Sequence, residues 1–226
     1  MKLSIIIPVY NEKSTILAIV KKVLSAPYQK EVIIVDDCSN DGTRDLLKTL
    51  NDKDILLLFH DKNCGKGKAI QTALEKVTGD IVLIQDADME YDPAEYPSLL
   101  APILDGRADV VYGSRFLGAP HRVLLFWHYL GNLIFTLLAN VLYNINLTDM
   151  GTCYKALRTE VIKALDLKSL RFGIEAEITA KVCKRKLRIF ETPISYNGRT
   201  YREGKKITWR DSFVYLYSLL RFRFFD

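Results

Sequence analysis

A regular alternation of short apolar runs and longer amphipathic segments dominates the first half of the chain. Five runs rich in β-branched residues lie at 3–9, 31–37, 54–60, 80–86 and 108–114. Such runs are typical of strands that are buried on both faces of a sheet. Segments with helical periodicity separate them, at 13–25, 41–51, 65–77 and 93–104. This alternation predicts an α/β fold with a mainly parallel sheet and helices on both sides.

The second half of the chain departs from this alternation. It contains an apolar run at 123–147, a predicted helix near 173–186, a predicted strand at 188–196 and a predicted amphipathic helix at 208–224. The full length of 226 residues is ample for one large domain with its own core.

Charge is unevenly distributed along the chain, whose net charge is +5. Residues 1–150 include 15 basic and 19 acidic residues, whereas residues 151–226 include 17 basic and 8 acidic ones. A basic final third beside an acidic front half indicates an anionic partner, such as a phosphate, a lipid headgroup or a nucleic acid; a solvated basic face is the alternative.

Two features indicate a cytosolic domain. The apolar run at the N-terminus ends at Pro8 after five residues, which is too short for a signal peptide and is typical of a first strand. The four cysteines, which are expected to be reduced thiols, show neither CxxC pairing nor metal-ligand spacing; they are Cys38, Cys64, Cys153 and Cys183.

The residues that follow the predicted strands are rich in carboxylates. Ligands of open parallel sheets bind beyond the carboxyl ends of the strands, so these residues should converge on one crevice. They are Tyr10, Asn11, Glu12, Asp36, Asp37, Asp61, Asp86, Asp88, Glu90, Ser114 and Arg115.

The motif DADME at 86–90 is the strongest chemical signal in this set. Asp86 and Asp88 flank the small Ala87 directly after an apolar strand, so both carboxylates can turn toward one point. Two hard oxygen donors at a strand end suit Mg²⁺ or Mn²⁺, with water and phosphate oxygens completing the coordination. Glu90 is a candidate third ligand.

Two other segments are suited to a nucleotide. Two adjacent carboxylates, Asp36 and Asp37, repel each other unless one caps a turn and the other binds a ligand, such as a base or a ribose. The segment NCGKGKA at 63–69 opens a predicted helix, where Gly65 allows close backbone approach and Lys66 adds positive charge for an anion. Its spacing is not that of a P-loop, which argues against an ATPase of that class.

Six motifs follow one another along the chain: SIIIPVYNE, VIIVDDCSNDGT, NCGKGKA, GDIVLIQDADMEYDP, VVYGSRF and TDMGTCYKAL. In this order they resemble the inverting family 2 glycosyltransferases of the GT-A fold. The late segment YNGRTYREGKKITWRDSF resembles one branch of that family, the dolichyl-phosphate mannose synthases and polyprenyl-phosphate glycosyltransferases. The resemblance runs essentially end to end. It implies one GT-A domain over 1–226, with a nucleotide-sugar-binding half at 1–118 and an acceptor-binding half at 119–226.

The resemblance also implies roles for individual residues. The donor site would be lined by Pro8, Tyr10, Glu12, Asp37, Gly65, Lys66, Asp86, Ala87 and Asp88. Asp86 and Asp88 would hold Mg²⁺ or Mn²⁺ on the donor diphosphate, and Glu90 stands where the family often has Gln. The phosphate groups of the acceptor or donor would be bound by Arg115, Arg122, Arg199 and Arg202, with Lys205 in support. Asp88, Arg115 and Asp149 would be the catalytic residues. Some relatives place a base at the position of Asp149.

The implied reaction is transfer of a hexose from a nucleotide sugar, GDP-mannose or UDP-glucose, with two possible acceptors. A lipid phosphate is already anionic at pH 7, so arginines that orient it would be more important than a base. A sugar hydroxyl of a glycan would require a base such as Asp149. The density of Arg and Lys in GRTYREGKK favours a polyprenyl phosphate, and no nucleic acid partner is expected.

Two other classes of protein are less compatible with the sequence. A receiver-like signalling module also has paired Asp residues at strand ends, but this chain is about twice the length that such a module needs, and its second half is basic and apolar. A nucleotidyltransferase that makes sugar nucleotides would need a Gly-rich loop directly after the first strand. The residues there are PVYNE.

The run at 123–147 contains no Asp, Glu, Lys or Arg and is long enough to cross a bilayer as a helix. A polar stripe recurs along it every four residues, at His128, Asn132, Thr136, Asn140 and Asn144. A spanning helix would also separate Asp149 from the crevice. We therefore expect a helix, or a broken pair, that lies on the cytoplasmic membrane surface or in a homo-oligomer interface. Its apolar side, with Phe126, Trp127 and Tyr129, would meet lipid. A plain buried helix is the remaining alternative.

Overall fold

A seven-stranded sheet forms the centre of the computed structural model, which describes residues 1–123, 125–206 and 211–225. The strands are β1 (Leu3–Val9), β2 (Lys30–Asp36), β3 (Ile55–Phe59), β4 (Ile81–Ile84), β5 (Val110–Ser114), β6 (Lys155–Arg158) and β7 (Ile189–Pro193). Their order across the sheet is β3-β2-β1-β4-β6-β5-β7. Strand β6 runs antiparallel to β4 and β5, whereas the other neighbouring pairs are parallel. The predicted α/β fold with a mainly parallel sheet is therefore confirmed.

The helices connect the strands and cover the sheet. They are α1 (Ile16–Ser25), α2 (Thr43–Lys48), α3 (Lys66–Leu74), α4 (Tyr96–Leu104), α5 (Phe126–Tyr143), α6 (Thr159–Ala164), α7 (Ile174–Lys184) and α8 (Asp211–Phe224), with 3-10 turns at Pro93–Glu95 and Tyr201–Glu203. The helices predicted in the first half and near 173–186 are present but shorter at their ends. The first residues of the predicted terminal helix, 208–210, lie outside the described residues.

The core lies on both faces of the central strands. Ile5, Ile6 and Ile7 of β1 are fully buried, and so are most residues of β2, β4 and β5. Burial of these β-branched side chains is the main driving force that holds the sheet between its helices. The expectation of full burial is wrong for β3, whose Leu56 and Phe59 are exposed, because an edge strand is covered less completely than a central one.

Strand β6 and helix α6 were not expected from the sequence. Lys155 and Arg158 interrupt the apolar pattern of this strand, which nevertheless pairs Lys155 with Ile84 and Arg158 with Ile81. Because β6 is antiparallel, it begins at the edge of the sheet where β4 and β5 end. The residues just before it, including Asp149, are thereby brought to the carboxyl edge of the parallel strands.

Helix α5 uses its polar stripe to bind the turn that precedes β6. The Asn132 side chain donates to Asp149, and the Met150 N–H donates to the Thr136 hydroxyl. Asn140 exchanges two hydrogen bonds with the backbone of Leu147. The stripe therefore faces protein rather than lipid. Within the described ranges, none of the helices combines the length and apolarity that crossing a membrane requires.

The opposite side of α5 is apolar and exposed. Trp127 is 77% exposed and Val141 is 72% exposed, and α8 presents a similar face beside it. The two helices pack on each other and on α7 through a small cluster of buried side chains, which includes Ala139, Ala176 and Leu219. A plain buried helix, the third alternative for this segment, is therefore wrong.

Candidate active site

A carboxylate crevice forms where β1 and β4 end at the carboxyl edge of the sheet. Glu12 follows β1, whereas Asp88 and Glu90 follow β4. The guanidinium of Arg199 contacts all three: its nitrogens lie 3.0 and 3.1 Å from the Glu12 oxygens, 2.6 Å from Asp88 Oδ2 and 3.5 Å from Glu90 Oε1. Residues far apart in the sequence therefore converge, as the strand-end rule predicts.

The charge balance at Asp88 suits a divalent cation. Burial, together with the neighbouring charges of Asp86 and Glu90, raises the pKa of Asp88 to about 8 despite the proximity of Arg199. Burial is the larger cause of this shift, and the like charges of Asp86 and Glu90 add to it, so a cation beyond Arg199 would stabilise the ionised carboxylate. Asp86 and Asp88 supply the hard oxygen donors that Mg²⁺ and Mn²⁺ prefer, so these residues fit such an ion.

Asp86 is positioned by a chain of alternating charges. The Lys66 ammonium lies 2.8 Å from Asp86 Oδ1 and 3.3 Å from Glu175 Oε1, and Glu175 Oε2 lies 2.5 Å from Lys155 Nζ. Burial raises the pKa of Asp86, but Lys66 and the Cys153 thiol outweigh burial, so its pKa lies below the usual carboxyl value.

Lys155 and Glu175 were not singled out from the sequence, yet both are buried in this chain of charges. The one available signal is the lysine itself, in the short and otherwise mostly apolar segment CYKAL.

Glu90 binds the C-terminal part of the chain in this structure. Its carboxylate accepts hydrogen bonds from the Tyr196 hydroxyl and from the Arg199 N–H, both at 2.7 Å. Its backbone carbonyl accepts from the Asn197 N–H. The role of third metal ligand stays a prediction, and the observed contacts make Glu90 the residue that ties residues 197–199 to the DADME motif.

Asp37 shapes the loop that carries Gly65 and Lys66. Its two oxygens accept from the backbone N–H groups of Cys64 at 2.8 Å and Gly65 at 2.7 Å, and His60 Nδ1 lies 2.7 Å away. Gly65 has φ +96°, and a Cβ there would lie 2.4 Å from the carbonyl oxygen of Leu170. Only glycine fits this position without displacing backbone.

The grouping of Asp37, His60 and Cys64 has metal-ligand geometry, with ligand atoms within 4.8 Å of one another. The Asp37 oxygens already accept the two backbone N–H groups, which accounts for the cluster by hydrogen bonding alone. The remaining donor-site candidates of the first strand, Pro8 and Tyr10, are half-buried at and just beyond its carboxyl end, and Ala87 is buried between Asp86 and Asp88.

Arg115 and Asp149 form a buried bidentate ion pair. Arg115 Nε lies 2.6 Å from Asp149 Oδ2, and its Nη2 lies 2.7 Å from Oδ1. Asp149 also accepts from the Arg115 backbone N–H and from Asn132. The guanidinium lies 5.0 Å from the centre of the Tyr196 ring. Asp149 is fully buried, and both of its oxygens bind the Arg115 side chain.

The basic loop, residues 197–206, covers the crevice. Besides Arg199, it directs Lys206 to Glu12, whose Oε1 lies 2.5 Å from Lys206 Nζ. Burial lowers the pKa of the Lys205 ammonium, and the nearby positive charges of Arg115 and Arg199 act in the same direction.

The other basic candidates lie on the outer side of the basic loop. Arg122 binds Glu203 at 3.0 Å and the carbonyl of Gly198 at 3.1 Å. Arg202 is exposed in the 3-10 turn. Of the residues predicted to bind phosphate, Arg115, Arg199 and Lys205 are therefore close together, whereas Arg122 and Arg202 are not part of the crevice.

The chain belongs to glycosyl transferase family 2, whose sequence model matches residues 4–166. Among solved structures, it is similar to the glucosyl-3-phosphoglycerate synthase of Mycobacterium tuberculosis, which was crystallised with Mn²⁺, UDP and phosphoglyceric acid. That likeness covers 100% of this chain and 79% of the other, with a TM-score of 0.77 and 18% sequence identity. The predicted GT-A fold is confirmed, and the protein is a glycosyltransferase.

Two curated relatives are similar over most of this chain. An undecaprenyl-phosphate mannosyltransferase of Micrococcus luteus is 29% identical over 217 residues, which are 91% of this chain and 87% of that protein. A dolichol-phosphate mannosyltransferase of Pyrococcus furiosus is 27% identical over 228 residues, which are 98% of this chain. The match spans 63% of the Pyrococcus protein and 48% of a low-salt glycan biosynthesis hexosyltransferase of Haloferax volcanii.

Proposed function

We propose that this protein transfers a hexose, with inversion and with a divalent metal, from a nucleotide sugar to a polyprenyl phosphate. GDP-mannose and UDP-glucose are the candidate donors, and dolichyl or undecaprenyl phosphate the candidate acceptors. The observation that carries the proposal is the Arg115–Asp149 pair, because the residue suited to be a base is instead bound to an arginine that can orient an anion. The names of the two mannosyltransferase relatives support the same acceptor class.

The donor half, 1–118, supplies the groups that would bind the nucleotide sugar. Asp86 and Asp88 would hold Mg²⁺ or Mn²⁺, which would stabilise the charge that develops on the nucleoside diphosphate leaving group. Lys66, 2.8 Å from Asp86, adds positive charge on the same side. Asp37 holds the loop at Gly65 against which a base would lie.

The acceptor half, 119–226, adds positive charge around the expected path of a phosphate. Arg199 and Lys205 would bind and orient the acceptor together with Arg115, and Arg122 and Arg202 would support them from the outer side. An arginine fork matches phosphate oxygens with two parallel hydrogen bonds. A phosphate oxygen is anionic at pH 7, so positioning behind the sugar carbon accounts for the reaction without a base.

The exposed faces of α5 and α8 suit a membrane surface. Phe126, Trp127 and Tyr129 project from α5, and Arg221 and Arg223 lie in the last turn of α8. Aromatic side chains beside cations are typical of helices that lie in the lipid headgroup region. We propose peripheral attachment to the cytoplasmic face of the membrane, which would bring the acceptor to the crevice. A homo-oligomer that buries the same face is the competing outcome.

A donor panel tests the proposal. GDP-mannose and UDP-glucose, each carrying a radiolabelled sugar, are incubated with polyprenyl phosphate and Mn²⁺. Label should appear in an organic-extractable, acid-labile lipid, should disappear with EDTA, and should be absent from the matched variant Asp88→Asn. Failure with every nucleotide sugar in the presence of metal would overturn the proposal.

A further inference from the structure

The basic loop supplies the counter-ions of the donor site. Arg199 donates to Glu12 and Asp88, and Lys206 lies 2.5 Å from the same Glu12 and donates to the backbone carbonyls of Tyr10 and Asn11. Glu12, Tyr10 and Asp88 are all residues of the donor site described above. Two cations from the acceptor half therefore bind groups that the donor and its metal ion would use.

The electrostatics of the crevice explain why these cations are held there. Asp86, Asp88, Glu90 and Glu12 all act on the same small volume, and like charges in such a volume repel one another. Arg199 lies among them, with its guanidinium 2.6 Å from Asp88, 3.0 Å from Glu12 and 3.5 Å from Glu90. A divalent cation bound at the Asp88 carboxylate would lie close to the Arg199 guanidinium, which contacts Asp88 Oδ2 at 2.6 Å, and the two positive charges would repel each other.

The loop is built so that its inner contacts can change while its outer contacts remain. Thr200 and Glu203 form a capping box, in which each side chain binds the backbone of the other. Arg122 binds Glu203 and the Gly198 carbonyl from outside the crevice. Neither of these contacts involves a donor-site carboxylate, so they can persist when Arg199 and Lys206 leave.

We propose that Arg199, assisted by Lys206, is a counter-ion switch that makes donor binding precede acceptor binding. Asp88 would hold a divalent cation that binds with the nucleotide sugar, and Arg199 would then leave Asp88 while Lys206 leaves Glu12. The released Arg199 guanidinium is then available to the acceptor phosphate. The competition with metal stands by itself, whereas the second step rests on the proposed function.

Mn²⁺ binding measured by electron paramagnetic resonance tests the competition without any transfer reaction. If the loop occupies the site most of the time, removing Arg199 should lower the apparent Kd for Mn²⁺ by about fivefold to tenfold. The variant is Arg199→Gln. A merely structural role for Arg199 would weaken Mn²⁺ binding, and a role confined to the acceptor would leave it unchanged.

A matched control separates competition from loss of nearby positive charge. Lys205→Gln removes one charge from the same loop, but Lys205 makes no ion pair in the described part of the chain. The switch predicts a clearly larger gain in Mn²⁺ affinity for Arg199→Gln than for Lys205→Gln, and equal gains would overturn it. Lys206→Gln, at a more exposed position, should give a smaller gain in the same direction and serves if Arg199→Gln fails to fold.

Limited trypsin digestion tests the release of the loop. Mn²⁺ with UDP or GDP should accelerate cleavage after Lys205 and Lys206, while cleavage after Lys53, in an exposed turn far along the sheet, keeps its rate. Unchanged cleavage of the loop, at metal and nucleotide concentrations that bind, would contradict the switch.

Farnesyl phosphate, a soluble isoprenyl phosphate, tests the order of binding by calorimetry. Wild-type protein should bind it about tenfold more tightly with Mn²⁺ and nucleotide present, because the released Arg199 can then bind its phosphate. The coupling between the two ligands is reciprocal. Equal affinity in both states would overturn the order even for an active transferase. No binding in either state, together with the predicted Mn²⁺ result, would overturn the proposed acceptor class and leave the competition intact.

Discussion

The surroundings of Asp88 are the strongest reason to expect a metal ion in the crevice. Asp88 is almost fully buried, receives one short contact from Arg199 and has three other carboxylates nearby. Its pKa is raised to about 8 by burial and by those neighbours. A carboxylate in this position gains most from a cation of higher charge density than a guanidinium, which is the physical reason to expect a metal there.

The raised pKa of Asp88 predicts a pH dependence of metal binding. We expect the metal-free protein to hold a proton on Asp88 below about pH 8, and a metal ion must displace that proton. We expect the apparent Mn²⁺ affinity to rise by about tenfold per pH unit up to pH 8 and then to level off. Titrations between pH 6.5 and 9 measure this slope. A flat profile for the wild type, equal to that of Asp88→Asn, would contradict the prediction.

The Arg115–Asp149 pair predicts a particular response to Asp149→Asn. The change leaves a buried arginine without its charged partner, which should cost about 3 kcal/mol in the free energy of unfolding. If Asp149 positions Arg115, transfer should decrease by less than about a hundredfold, since no base is lost. Urea unfolding and initial rates measure both quantities. A near-total loss of activity with normal stability would instead favour a base and a glycan hydroxyl as acceptor.

At the scale of elements, Glu31 on β2 ties together the starts of three parallel strands. Its carboxylate accepts from Ser4 of β1, from Lys2 and from the backbone of Thr78 and Gly79 ahead of β4. Burial raises its pKa, but these hydrogen bonds outweigh burial and lower the pKa to about 2. The ionised carboxylate therefore stabilises the folded state.

This contact predicts an acid-dependent loss of stability. The contribution is present above the unfolded pKa near 4.5 and is lost as the pH falls through about 2. We expect Glu31→Gln to lower the free energy of unfolding by about 1–3 kcal/mol at pH 7, with the difference shrinking below pH 4. Urea unfolding at pH 7, 4 and 3 measures it. A difference that stays constant over this range would show that the charge of Glu31 is irrelevant.

Helix α5 has two faces with different roles. Its polar face binds residues 147–150 and so positions Asp149, whereas Leu137 on the opposite face is 60% exposed. If this face binds lipid, Leu137→Glu should reduce binding to anionic liposomes by about tenfold, since burial of one leucine contributes about 1.5–3 kcal/mol. Flotation measures the bound fraction.

Leu104 at the end of α4 provides the matched control for this test. It is 53% exposed, so Leu104→Glu makes the same chemical change on another surface. We expect wild-type flotation for this variant. Equal losses for the two variants would contradict lipid binding through this face of α5, and a monomer–dimer shift with Leu137→Glu alone would favour an oligomer interface.

At the scale of the whole molecule, the uneven charge of the chain becomes a contact between its two halves. The acidic first half provides Glu12, Asp88 and Glu90, and the basic second half covers them with Arg199 and Lys206. A basic final third was expected to indicate an external anion. In the structure, part of that charge forms ion pairs within the protein. In the proposed function, Arg199 binds Asp88 before the donor arrives and the acceptor phosphate afterwards.

Residue order along the chain is sufficient to predict the architecture and the edge of the sheet where the crevice lies. Strand length, β-branched composition and the residues after each strand are local properties, and parallel pairing carries them to one edge. Motif order along the chain was sufficient for the family. The exact helix ends are less predictable. Strand β6 is also less predictable, because its buried Lys155 is neutralised by Glu175, which lies twenty residues away in the sequence.

The partner that each charged residue binds follows from the folded chain and not from residue order. The bidentate contact of Asp149 with Arg115 and the contacts of Arg199 with Glu12 and Asp88 span 34, 187 and 111 residues of sequence. Such pairs depend on desolvation and distance in the folded chain, and neither quantity can be read from residue order. The same carboxylates that the sequence marks as a metal site are therefore seen, in the fold, to be held by the protein's own cations.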